Sequence, residues 1–247
     1  MNLNDLRHVK LVGESATPDP DVAHDAARWR AALLLAAVFA VSLWLVKLLE
    51  ELTGTSLIHL GVYPREWSGL IGVVCAPFVH GSWGHLISNT VPVLLLGTAL
   101  LYGYPRSARI VVPALFLAVG LGVWLFARAS YHVGASGLTF GVMFFVFTLG
   151  LLRRDRRAIA LAMIVFFMYG GMVWGVFPGD PQISFESHLT GAIAGVGLAL
   201  ALRNLDPRPP EKRYSWELEG EDVEEAQWAE RVDDAPVPRR EGRLPAP

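Results

Sequence analysis

Ser136, His188, His80, His85 and Asn89 all lie in or beside apolar stretches long enough to cross a bilayer. Nucleophilic and ionisable groups are costly at that depth and are retained where they act. A serine hydroxyl is a weak nucleophile until a base removes its proton, and histidine is the usual base. Small residues surround the serine in Gly134-Ala135-Ser136-Gly137, leaving room for a substrate backbone. His85 and Asn89 are four residues apart and share a helix face, with His80 five residues earlier. Such a polar triplet can donate hydrogen bonds to an oxyanion, or its members can satisfy one another. Together these residues imply a serine hydrolase working inside a membrane.

The serine also opens a helical stretch, where backbone N–H groups lack internal partners and can face a developing oxyanion. Gly137 and Gly141 form a GxxxG pair, and Gly191 and Gly195 form another on the stretch that carries His188. Such pairs let helices approach closely. Gly191 and Gly195 follow His188 by three and seven positions, so packing the two glycine faces together brings the histidine toward the serine. The Gly134–Gly137 run is not the G-x-S-x-G elbow of soluble hydrolases. Glu186, two residues before His188, points to a different helix face and is a poor acid partner, so a Ser-His dyad is expected. His132 is a weaker alternative base, with a surface position as its plainer explanation. The histidines lack an HExxH pattern, and no metal or organic cofactor is expected.

Six spans must position these groups, at about 31–49, 86–103, 110–127, 135–152, 158–177 and 183–202. Each is near the ~20 residues that cross hydrocarbon. They are continuously apolar, which disfavours a barrel. Pro92 and Pro113 fall inside spans two and three, where membrane helices tolerate proline. Lys47 near the end of span one is expected to snorkel. The fold class is an all-α polytopic membrane protein with six transmembrane helices.

Composition agrees: 53% of the 247 residues are hydrophobic, with a mean hydropathy of +0.39. A net charge of -2 argues against a nucleic-acid partner. Cys75, the single cysteine, permits no intrachain disulfide and reads as packing. Arginines gather before span one, between spans two and three and four and five, and after span six. The positive-inside rule then places both termini in the cytoplasm. A multi-pass protein of a bacterial plasma membrane is expected, although an organelle membrane fits the same rule. Ser136, His85, Asn89 and His188 then all fall in the outer part of the bilayer.

Residues 1–30 form a mostly polar N-terminal segment that does not read as a cleavable signal peptide. The membrane domain spans 31–203. Within it, 50–85 reads as a first loop containing an amphipathic element at the outer interface. From 204 to 247 the chain is Pro-rich, with twelve acidic against seven basic residues, and reads as a disordered cytoplasmic tail. Glu217–Glu230 can form a short helix with Trp216 and Trp228, and a protein-docking segment is the sharper alternative to a disordered tail.

The chain resembles the rhomboid family of intramembrane serine proteases. The resemblance rests on Gly134-Ala135-Ser136-Gly137, on the run from His80 to Asn89, and on His188-Leu189-Thr190-Gly191 followed by Gly195. It covers about residues 30–203 and implies a rhomboid-like bundle. It further implies Ser136 as nucleophile, His188 as general base, and His85 and Asn89 as oxyanion side chains beside the Ser136 N–H. His80 takes a supporting place. Phe140 stands where the family commonly has a tyrosine, and the family's Trp-Arg pair in the first loop is not evident. The implied partners are transmembrane protein substrates and membrane lipids, and the oligomeric state is not readable. The rivals are a catalytically inactive rhomboid-like binder of membrane proteins and a small transporter. A transporter would distribute polarity across the membrane, whereas here it gathers at one level.

Overall fold

The computed structural model describes residues 20–208. Its long helices are α1 (Pro20–Thr53), α2 (Trp83–Gly103), α3 (Pro105–Phe126), α4 (Ser136–Arg153), α5 (Arg156–Tyr169) and α6 (Phe185–Leu202). A 3₁₀ stretch over Gly170–Val176 continues α5. With that continuation, six helical segments among the described residues are long and apolar enough to cross a membrane. The all-α polytopic architecture read from the sequence is therefore observed. Helix α1 has 34 residues, about 51 Å at 1.5 Å per residue, against ~30 Å of hydrocarbon. It begins eleven residues before the expected span. Proline suits a first helical position because its missing N–H has no partner there, and Pro20 occupies that position.

Helix α4 is the centre of the bundle: 67% of its membrane-crossing window is buried, against 17% to 39% for the others. Its core side chains include Leu138, Phe140, Phe145, Val146 and Leu149. The paired glycine faces meet as expected. A Cβ on Gly191 would collide with the Gly137 carbonyl, and one on Gly195 with the Gly141 carbonyl. Glycine therefore sets the distance between α4 and α6. On the other side of the bundle, a methyl group at Gly97 of α2 would lie 3.3 Å from the Ala36 Cβ of α1.

Lys47 does not snorkel. It is 7% exposed, and its ammonium pairs with Glu50 at 2.9 Å and Glu51 at 3.2 Å. The acids lie three and four residues on, so the helix itself supplies the counter-charge that water would otherwise provide.

The connection before α2 opens with a turn at Ile58–Leu60 and carries one continuous apolar helical stretch, Trp67–Phe78, built from Trp67–Ile71, Gly72–Cys75 and Ala76–Phe78. It packs on α3, where a Cβ on Gly120 would strike Val73. Arg65 fastens it to the end of α3. Its N–H donates to the Trp124 carbonyl at 3.0 Å, and its guanidinium donates to the Ala127 carbonyl at 2.9 Å. A cation there satisfies carbonyls that the helix end leaves open. Trp124 returns an indole N–H to the Glu66 carbonyl at 2.8 Å.

At the arginine-rich end, Asp206 caps α3 from outside that helix. Its carboxylate accepts from the Arg106 N–H at 2.8 Å, the Ser107 N–H at 3.0 Å and the Ser107 hydroxyl. Arg153, the last residue of α4, donates to the Asp206 and Pro207 carbonyls and to the Asp155 carboxylate. The packed body thus runs past residue 203, because Asp206 supplies the α3 cap that Tyr104 does not. The helix expected over Glu217–Glu230, with Trp216 and Trp228, falls outside the described residues.

Candidate active site

Ser136 is the first residue of α4, and His188 lies in the first turn of α6. The histidine Nε2 is 2.9 Å from the serine Oγ. Its Nδ1 is 2.9 Å from the Gly175 carbonyl. A carbonyl only accepts, so Nδ1 carries the hydrogen and Nε2 presents a lone pair to the serine hydroxyl. The orienting group is thus a backbone carbonyl in the 3₁₀ stretch. Glu186 turns elsewhere, to Arg128 at 3.6 Å.

Gly175 was not legible as part of this arrangement. Its carbonyl function has no residue-type signature, but its side-chain size does. A Cβ there would lie 2.9 Å from the Phe140 ring and 3.1 Å from His188 Nδ1. Phe140 stacks on the His188 ring, with centroids 4.0 Å apart and planes 5° from parallel. The phenyl ring thus covers one face of the imidazole.

His85 meets the turn before Ser136. Gly134 has φ +103, a conformation that side-chain-bearing residues rarely adopt, and a Cβ on it would be 2.6 Å from the His85 ring. Gly134 is held by its N–H to the Ala76 carbonyl at 2.8 Å. Asn89 is buried, and its amide donates to the His85 carbonyl at 2.8 Å. A side-chain amide has two N–H hydrogens, so one remains for another acceptor. The N–H groups of the first α4 turn also lack i−4 acceptors. Ser136 N–H, His85 and Asn89 are thereby brought to the same end of the bundle.

His80 is 1% exposed. Its ring stands edge-on to His85, centroids 5.0 Å apart, and Nδ1 donates weakly to the Phe78 carbonyl at 3.4 Å. Its Nε2 has no partner among the described residues. Burial pushes its pKa down to about 4.

His132 is not at the surface. It is 3% exposed, with Nε2 at 3.0 Å from the Arg128 carbonyl and Nδ1 at 2.6 Å from Ser184 Oγ. Both ring nitrogens are engaged away from Ser136, which removes it as an alternative base. The surface expectation fails because the residue pairs its backbone with Val62, covering it with the first connection. Burial lowers its pKa.

Comparison with known proteins places these features in a family. The rhomboid domain model matches residues 65–205. An uncharacterised protein of Mycobacterium tuberculosis H37Rv is 36% identical over 185 residues, covering 71% of this chain and 77% of the relative. An uncharacterised protein of Mycobacterium leprae is 35% identical over 185 residues, covering 71% of this chain and 73% of the relative. The chain belongs to the rhomboid family. It is a rhomboid-fold, multi-pass membrane protein.

Proposed function

We propose that this protein is a serine endopeptidase that cleaves transmembrane segments of other membrane proteins. The observation that carries the reading is the Ser136–His188 contact of 2.9 Å, with the opposite ring nitrogen tied to a carbonyl. That tautomer lets His188 Nε2 take the hydroxyl proton as Ser136 Oγ bonds to the scissile carbonyl carbon. The carbonyl oxygen gains the negative charge and is received by the Ser136 N–H, His85 and Asn89. Collapse breaks the C–N bond, and the imidazolium returns its proton to the leaving amine. Water then attacks the acyl-enzyme, with His188 again taking the proton, and releases the acid and free Ser136.

A substrate helix must unwind locally to offer a carbonyl. Glycine or proline near the cut favours this, because their helical states are less stable. Small side chains suit the glycine-lined surroundings of Ser136. The arginine asymmetry supports cytoplasmic termini with the Ser136 end facing outward, and the mycobacterial relatives support a bacterial plasma membrane. Gathering of the neutral polar groups at one end favours hydrolysis over transport.

The test is labelling with a fluorophosphonate serine probe in detergent or liposomes. Wild type is expected to label, and folded Ser136→Ala and His188→Ala proteins are not. A folded wild type that stays unlabelled, with the probe shown to reach the site, would replace this reading with a membrane-protein binder lacking catalysis.

A further inference from the structure

A second serine–histidine pair stands beside the first. His132 and Ser184 are 52 positions apart, as are Ser136 and His188. Each member of the second pair lies four residues before a member of the first, with the residue types exchanged. Helix α6 extends from Ser184, so His188 is one helical turn beyond it.

The hydrogen bonds of this second pair have a defined direction. The Arg128 carbonyl only accepts, so His132 Nε2 donates to it and Nδ1 accepts. The Ser184 hydroxyl therefore donates to Nδ1 at 2.6 Å. Its oxygen then accepts from the Ser187 hydroxyl at 2.7 Å and from the Ser187 N–H at 3.2 Å. Ser184 is thus the N-cap of α6, and His132 holds that cap from outside the helix.

Both ends of the tether are anchored. The His132 backbone exchanges two hydrogen bonds with Val62, at 2.9 and 3.0 Å. The segment before Ser184 is gripped by Arg128, which donates to the Pro181 and Ile183 carbonyls at 2.8 and 2.9 Å. Ser187 packs on Gly137, whose added Cβ would lie 3.1 Å from the Ser187 carbonyl. The N-terminal turn of α6 is thereby fixed in rotation and height against the start of α4.

We infer that His132 and Ser184 are positioning residues that set the register of His188 against Ser136. This rests on the hydrolase reading above. Neither residue touches Ser136, and neither acts as base or nucleophile. With Ser184 donating into His132 and accepting from Ser187, the second pair is saturated.

The test compares Ser184→Gly, Ser184→Thr and His132→Phe in the full-length protein. Glycine preserves an N-cap nearly as well as serine while deleting the hydroxyl, and threonine keeps the hydroxyl. Fluorophosphonate labelling is followed with time and probe concentration, the label is mapped by peptide mass spectrometry, and thermal midpoints are measured in detergent. A small misplacement of reacting groups can cost up to about 100-fold. Ser184→Gly and His132→Phe are expected to slow the maximal labelling rate about 10- to 100-fold. Half-saturating probe concentration should stay near wild type, and Ser184→Thr should recover most of the rate. All label is expected on Ser136. Unchanged maximal rates in Ser184→Gly, a loss that threonine does not restore, or label on Ser184 would each overturn the assignment while the hydrolase reading stands. An unlabelled wild type would instead sink that reading and take the assignment with it.

Discussion

The two ends of the bundle solve the problem of buried polarity in opposite ways. At the arginine-rich end, Arg153 and Asp206 are 6% and 4% exposed, and their charged groups are met by carbonyls, N–H groups, a hydroxyl and Asp155. At the Ser136 end the groups around the serine are neutral side chains, and the buried Lys47 nearby is paired with Glu50 and Glu51 along its own helix. There His80 Nε2 is unpartnered among the described residues and Asn89 keeps a spare N–H. A saturated network holds helices together, because breaking it strands a buried group. An unsaturated one retains capacity for a partner that arrives from outside. Tyr104 is the exception at the arginine-rich end. Its hydroxyl is buried without a partner, and burial raises its pKa to about 12.

Breaking the contrast at its functional pole gives the largest effect. Ser136→Ala or His188→Ala is expected to lower any peptide-bond hydrolysis by at least about 10³-fold. The thermal midpoint of Ser136→Ala in detergent should scarcely move, since the Ser136 hydroxyl meets only His188, whereas His188→Ala also removes the bond to Gly175 and the stack on Phe140 and should lower it modestly. A variant that unfolds would assign the pair to stability instead.

Acid should attack the same end through His80. Its pKa is near 4 in the folded protein against an ordinary 6.5, so the unfolded chain binds the proton more readily. Stability is therefore full above pH 6.5 and falls as pH drops toward 4. The loss from this residue approaches about 3 kcal/mol at the low end of that window. Unfolding midpoints at pH 7 and pH 4.5, in wild type and His80→Phe, measure it. An equal acid sensitivity in both proteins would remove His80 from the account.

At the other pole, Asp206→Ala should cost about 2 kcal/mol, because it strands the Arg106 and Ser107 N–H groups at the start of α3. The labelling rate per folded molecule should remain that of wild type. A rate loss without a stability loss would mean that the two ends are coupled, against the division drawn here.

The smallest effect belongs to the stacked ring. Phe140→Ala should weaken the orientation of His188 by about 1 kcal/mol, roughly a fivefold slower labelling. Phe140→Tyr, which keeps the ring, should stay close to wild type. A Tyr variant several-fold faster would show that the hydroxyl, and not the ring alone, tunes the site.

Much of this molecule is legible without coordinates. Each apolar run long enough to cross hydrocarbon must satisfy its backbone internally, which makes it a helix wherever it packs. Small residues recurring every fourth position announce a close approach, and the glycines of α4 and α6 meet as their spacing requires. The helix boundaries were less legible. Pro20 starts α1 well before its apolar run, and Lys47 finds its partners along its own helix. The boundary of the packed body at Asp206 was hidden, since its capping carboxylate looks like one more acid before an acidic tail.

The amino-acid sequence by itself determined the six-span architecture, the level at which polarity gathers and the pairing of Ser136 with His188, because hydropathy and residue size act locally and repeat with the helix. Only the tertiary structure decided that Gly175 orients His188, that His132 is buried against Ser184, and that Asp206 caps α3. Those contacts join backbone carbonyls, N–H groups and hydroxyls from segments far apart in the chain, and such groups acquire a partner only once the helices have packed.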